Sequence, residues 1–376
     1  MSVPTTSTDM ALPLDELVER EIVAESSDEL AESTASDSTR ESELPAVQRF
    51  VIAGGEAVVF SNASPAKATG NEDSWGIFEI ADRCGLLAVA DGLGGHRGGR
   101  NASQLVVDQL EDRVKQLQQP PQIPMLADVP AMQSQSGRRP SSGELQAAVL
   151  SAIEVTNEEL IRRGSGSATT LAAVEIRNRK IRTYHIGDSE ILIVGQRGRI
   201  KTQTVSHSPV GYALKAGIIN EEEALYHEER HLVSNVVGIP EMRIEMGPRL
   251  ELAARDTVLI ASDGLFDNLW QHEIVEIIRK GNLQQSVRQL AEMASQRMQH
   301  MDPAHPSKPD DLTILAFRLS APRRKRRPRN LGQIESTDKP AVEPPASDDL
   351  VVSTLQLAPH FNRQFPVTSS YHLESH

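Results

Sequence analysis

The sequence predicts an α+β fold, antiparallel sheet covered by helices, on three observations. Short apolar runs bounded by turn formers, such as Leu86 to Ala90 and Val258 to Ala261, read as buried strands. The segments SATTLAAVEI, IRTYHIG, ILIVG and RIKTQTV follow one another with only the turns RNRK, DSE and QRG between them, a spacing that argues antiparallel pairing. Amphipathic segments stand before and after this strand group, which places helices outside the sheets.

Taken in order, FVIAGGEAVVF opens the folded part as a strand pair interrupted by glycines. WGIFEI alternates, turns at ADRCG and returns as LLAVA, a hairpin that brings Asp73 and Asp91 to one edge. A helix is expected from Asn101 to about Gln118, with Ala102, Leu105, Val106, Leu110, Val114 and Leu117 on one face. A second runs from Glu144 to Arg163 through Leu145, Ala148, Val149, Ala152, Ile153 and Leu160. Between them the Pro-, Gln- and Ser-rich stretch at about 119–143 reads as a flexible insertion. After the strand group, residues 208–238 form a polar, flap-like lobe with a helix-like HEERHLVSNVV inside it. The strand DTVLIAS, the helical pair QHEIVEIIRK and LQQSVRQLAEMASQRMQ, and the strand LTILAFRL follow.

With only 3% aromatics in 376 residues, the core must be built from Val, Ile, Leu and Ala, and residues 49–320 read as one domain. Residues 1–48 hold 12 acidic residues against 2 basic ones, the composition of a disordered segment. Residues 321–376 form a basic and then disordered tail, with 6 basic residues in the seven positions from Arg323 to Arg329. The net charge of -13 disfavours nucleic acid as a partner. No run approaches the roughly 18 apolar residues of a transmembrane helix. The single cysteine, Cys84, and the lack of a signal peptide point to the cytoplasm, and a monomer is expected.

The chemistry-bearing pattern is a set of acids at strand ends. LLAVADGLGG presents Asp91 beside Gly92, Gly94 and Gly95, glycines that let the backbone take positive φ and approach a ligand. DTVLIASDGLFD delivers Asp263, IRTYHIGDSE delivers Asp188, Asp73 precedes WGIFEI, and Asp310 with Asp311 precedes LTILAF. One Asp-Gly after a strand is a turn signal. Five strands with an acid at the end define an oxygen-rich cage for Mg²⁺ or Mn²⁺, which take carboxylate, carbonyl and water oxygens.

In the order NED, DGLGG, SGSATT, GDS, SDGLFD and DDLT, the chain resembles the bacterial-like form of the metal-dependent serine/threonine protein phosphatases, the type 2C or PPM family, over about residues 50–320. The resemblance implies a four-layer α-β-β-α sandwich, two antiparallel sheets face to face with helices outside. It also implies hydrolysis of phosphoserine and phosphothreonine in phosphorylated proteins by a dinuclear Mg²⁺ or Mn²⁺ centre. Asp91 would bridge the metals, the Gly92 carbonyl would bind the first, and Asp263 and Asp310 the second. Asp73 would act through water, and Asp188 matches the position of a weaker third metal.

Two positions depart from the family pattern. Ala68 stands where a phosphate-binding arginine is usual, with Lys67 beside it as a candidate phosphate contact that lacks the bidentate fork. GDSR reads GDSE, which puts Glu190 where a cation is expected. Leu93 follows Asp-Gly where many eukaryotic members have histidine, and His96 is the candidate general acid because histidine titrates near neutrality. Ala68 and Glu190 permit an alternative, a weakened pseudophosphatase serving as a phospho-signalling adaptor. A third reading is a module whose acids hold structural Ca²⁺. The intact acid set favours the enzyme, and no EF-hand-like DxDxDG run supports the last. The basic run 323–329 is expected to dock an acidic partner, partly masked by residues 1–48.

Overall fold

The long strands are apolar on both faces because each one lies between two separate cores. The computed structural model describes residues 44–68, 70–94, 97–119, 139–300 and 302–320. The chain runs β1 (Gln48–Ile52), β2 (Gly55–Asn62), β3 (Ser74–Ala81), β4 (Cys84–Ala90), β5 (Gly92–Leu93), α1 (Arg97–Gln118) and α2 (Ser142–Arg163). It continues with β6 (Ala168–Thr169), β7 (Leu171–Arg177), β8 (Lys180–Ile186), β9 (Glu190–Val194), β10 (Ile200–Gln203), α3 (Pro209–Lys215), α4 (Glu221–Leu225) and a 3₁₀ turn at Glu228–His231. It ends with β11 (Glu245–Met246), β12 (Leu250–Glu251), β13 (Thr257–Ala261), α5 (Asp263–Phe266), α6 (Gln271–Ile278), α7 (Leu283–Gln299) and β14 (Leu312–Leu319).

Among the described residues one sheet has the order β1-β2-β14-β13-β9-β10 and the other β11-β8-β7-β4-β3, with β12 also on β8. All pairings are antiparallel. Alternation along each strand sorts side chains between layers. On β4, Leu87 and Val89 join Ile193, Val258, Ile260 and Phe317 between the sheets. Leu86 and Ala88 turn outward onto Val106, Leu110, Val149 and Ile153 of α1 and α2. On β13, Leu259 and Ala261 turn outward onto Ile274, Val287 and Leu290 of α6 and α7. The result is the α-β-β-α sandwich.

The strand group after α2 does not stay together, since β7 and β8 enter one sheet while β9 and β10 enter the other. The segment SATTLAAVEI also divides at Thr170, and its first part pairs with β5 instead of β4. Both expected helices begin earlier than their apolar stripes. The Ser141 hydroxyl caps Glu144 N–H while Glu144 caps Ser141 N–H, so α2 starts at Ser142. The expected helix in HEERHLVSNVV is a single 3₁₀ turn, because the chain from Ser234 onward spends its hydrogen bonds on His207 and on β6. Ser234 N–H donates to the His207 carbonyl and Val237 N–H to the Thr169 carbonyl. His96, the basic run 323–329, most of the acidic segment and most of the insertion lie outside the described residues.

Candidate metal centre

Five acids meet where the two sheets end together. Ser74 faces Ala90 across β3 and β4, so Asp73 and Asp91 leave the sheet at one end. Ala261 faces Ile314 on one side and Glu190 on the other, which carries Asp263, Asp310 and Asp188 to a common end of the second sheet. The Ser262 hydroxyl joins the two sheets, donating to Asp73 Oδ2 at 2.8 Å and accepting from Thr313 N–H at 3.0 Å.

Asp91 is fixed through its backbone. Its N–H donates to Thr170 Oγ1 at 2.9 Å, and its carbonyl accepts from Thr170 N–H and the Thr169 hydroxyl, each at 2.8 Å. Thr170 Oγ1 also lies 2.7 Å from Ser189 Oγ, beside Asp188. The expected positive φ occurs at Gly94 (φ 114), whereas Gly92 serves packing. A Cβ on Gly92 would lie 2.2 Å from the Gly99 carbonyl oxygen in the first turn of α1.

The arrangement is electrostatically costly without cations. Burial pushes the Asp91 carboxyl well above its ordinary range, and Asp73, Asp263, Asp188 and Asp310 push it in the same direction. Burial raises Asp73 to about 7 against the hydrogen bonds that favour its charge. It also raises Asp188 and Asp310, with Asp263 adding repulsion to each. Four buried carboxylate oxygens, Glu72 Oε1, Asp73 Oδ1, Asp188 Oδ1 and Asp263 Oδ1, have no hydrogen-bond partner among the described residues. Unpaired buried oxygens on acids are the donor set that a hard divalent cation satisfies, so the residues present fit such ions.

Two lysines stand in this acid cluster. Lys67 Nζ lies 3.1 Å from Asp311, 3.2 Å from Glu72 and 3.4 Å from Asp310. Burial opposes its charge, yet these acids hold its pKa above the ordinary lysine value. Asp311 itself is committed to the backbone, accepting from Ser64 N–H at 2.7 Å and Glu72 N–H at 2.9 Å. Lys308 Nζ contacts Asp263 at 2.5 Å, Asp267 at 2.7 Å and Asp310 at 3.5 Å. Ala68 is exposed, and Glu190 accepts from the Gln203 amide at 2.8 Å while burial raises it to about 7.

Sequence reasoning missed Lys308, which precedes the Asp310–Asp311 pair by two residues, and gave no role to Thr169 and Thr170 of SGSATT or to Ser262 and Asp267 of SDGLFD. A further group also escaped it. His185, His207 and Glu245 hold ligand atoms within 4.8 Å of one another, a set able to coordinate one metal ion.

Comparisons with known proteins place the chain in a family. The family model described as protein phosphatase 2C matches residues 66–307, well over half of the chain. The serine/threonine phosphatase stp of Listeria monocytogenes is 29% identical over 216 residues, 56% of this chain and 77% of that protein. The Streptococcus agalactiae serine/threonine phosphatase superposes with a TM-score of 0.57 at 25% identity, covering 71% of this chain and 100% of that one. The catalytic domain of the serine/threonine protein phosphatase PstP, solved with 2 manganese ions, gives 0.52 at 25% identity over 70% of this chain and 98% of its own. The chain therefore belongs to the protein phosphatase 2C family and is a metal-dependent serine/threonine phosphatase.

Proposed function

We propose that the enzyme removes phosphate from phosphoserine and phosphothreonine of proteins at a dinuclear Mg²⁺ or Mn²⁺ centre held by Asp91, the Gly92 carbonyl, Asp263 and Asp310. Asp73 acts through water, and Asp188 takes a weaker third ion. The observation that carries this reading is the convergence of four partnerless buried carboxylate oxygens on the end where both sheets stop. The two manganese ions of the PstP domain support the same count here. When bound, such ions neutralise the phosphoryl oxygens and acidify water toward neutrality.

The chain's own groups position that chemistry. Ser262 holds one Asp73 oxygen and leaves the other free. Thr169 and Thr170 fix the peptide of Asp91. Lys67, about a third exposed at the rim beside Asp310, is placed to meet a phosphoryl oxygen with a point charge once cations relieve its acids. In the hydrolysis the bond between phosphorus and the seryl or threonyl oxygen breaks, water supplies the new oxygen, and the leaving oxygen takes up a proton, for which His96 is the proposed donor. The proposed catalytic domain spans residues 49–320, with the acidic segment 1–48 and the basic tail 321–376 outside it.

Asp91→Asn tests the proposal. Turnover of an aryl phosphate in Mn²⁺ should fall by at least about a thousandfold, and metal stoichiometry should drop while circular dichroism stays native. Substantial turnover in that variant would overturn the assignment.

A further inference from the structure

We propose that His207 is a positioning residue that locks the turn carrying Asp188 and ties it to the lobe that follows β10; the inference rests on the reading of Asp188 as ligand of the third metal. Both backbone polar groups of Gly187 are held by this one residue. Gly187 N–H donates to His207 Nδ1 at 3.1 Å, and the Gly187 carbonyl accepts from His207 N–H at 2.8 Å. On the far side of Asp188, the Ser189 hydroxyl is anchored on Thr170. The turn cannot relax by moving Gly187, whose φ is 103 and whose Cβ, if present, would lie 2.6 Å from the Thr170 side chain.

The protonation of the ring follows from its neighbours. The Asn235 amide is oriented by Arg243, donating through Nδ2 to the Arg243 carbonyl and accepting at Oδ1 from Arg243 N–H. Its Nδ2 therefore also points a hydrogen at His207 Nδ1, 2.8 Å away. With two N–H donors on Nδ1, that nitrogen carries the lone pair, and Nε2 carries the proton toward Glu245 Oε2 at 3.1 Å. A metal ion on Nε2 would drive the proton onto Nδ1 against both donors, so in this arrangement the group acts as a hydrogen-bonded clamp. The His207 carbonyl receives Ser234 N–H and the Ser234 hydroxyl, each at 2.8 Å. One buried residue thus connects Ser234, through its carbonyl, and Asn235, through its ring, to Gly187 beside Asp188.

The amide side chains of Asn and Gln separate the two ring nitrogens. His207→Asn returns an acceptor near the Nδ1 position, whereas His207→Gln reaches toward Glu245 and leaves Gly187 N–H unpaired. His207→Gln should raise the Mn²⁺ concentration for half-maximal activity by about tenfold, the usual effect of losing a partner behind a ligand. Its kcat at saturating Mn²⁺ should stay near native, and amide hydrogen exchange at Gly187 and Asp188 should accelerate. His207→Asn should restore both readouts, and Asn235→Ser should shift them in the same direction as Gln but less. In an Asp188→Ala background, His207→Gln should add no further Mn²⁺ shift. If Asp188→Ala alone leaves the Mn²⁺ dependence unchanged, the third-metal reading fails, and the exchange rates still decide whether the clamp exists. Native exchange at Gly187 in His207→Gln, or equal damage from Asn and Gln, would overturn the proposal.

Discussion

Lys308 shows at the scale of one residue what the acid cluster lacks without divalent ions. Its ammonium lies between Asp263, Asp267 and Asp310, and these acids raise its pKa against the opposing effect of burial. Two of those acids are proposed metal ligands, so an incoming cation must displace it. At an effective dielectric of about 20, unit charges about 4 Å apart interact by about 4 kcal/mol, and part of that opposes metal binding. Lys308→Met should therefore lower the Mn²⁺ concentration needed for half-maximal activity about tenfold. It should also lower the melting temperature of chelated protein while sparing the Mn²⁺-loaded form. Unchanged Mn²⁺ dependence would return Lys308 to a purely structural role. Sequence alone showed the acids, because an Asp at a strand end is visible in one dimension, but a lysine that folds back onto them is not.

At the scale of elements, the Asp91 loop and the start of α1 are joined backbone to backbone. A Cβ on Gly92 would meet the Gly99 carbonyl oxygen at 2.2 Å and the Glu72 carbonyl oxygen at 2.8 Å. Gly92→Ala must push α1 away from the loop, at a cost of about 2–3 kcal/mol for overpacking against backbone that cannot rotate aside. Thermal denaturation should show the loss, and Mn²⁺ affinity should fall with it. Native stability in Gly92→Ala would mean that the contact is loose. The same glycines explain why the apolar stripe placed the helix start at Asn101. RGG at Arg97 to Gly99 carries no apolar periodicity, yet the missing side chains of Gly98 and Gly99 are what let the first turn sit so close. The strands LLAVA, VLIA and ILIV were legible because they are buried on both faces. The lobe was not, since its shape depends on contacts such as Ser234 with His207 that have no local signature.

For the whole molecule, the layering follows from alternation within individual strands, and the site follows from where those strands stop. Composition identified the core residue types, but the division of β7, β8, β9 and β10 between two sheets depends on pairing partners far away in the chain. The fold gathers acids that would separate in the unfolded chain, and this has a sign. Folding raises Asp73 from 3.8 to about 7 and raises Asp91, Asp188 and Asp310, so the folded state without cations binds protons more tightly than the unfolded state. Stability of chelated protein should therefore fall as pH climbs from about 4 through about 7, and added Mn²⁺ should restore it most at the upper end. A chelated melting temperature that rises across this window would contradict the electrostatic account.

The central claim is that one acid cluster at the shared end of both sheets holds the catalytic ions. Anomalous scattering at the manganese edge, from crystals grown in Mn²⁺, tests it most directly. Two strong peaks sharing Asp91, one near the Gly92 carbonyl and one near Asp263 and Asp310, are the predicted result. Manganese found only at His185, His207 and Glu245, with none beside Asp91, would contradict it.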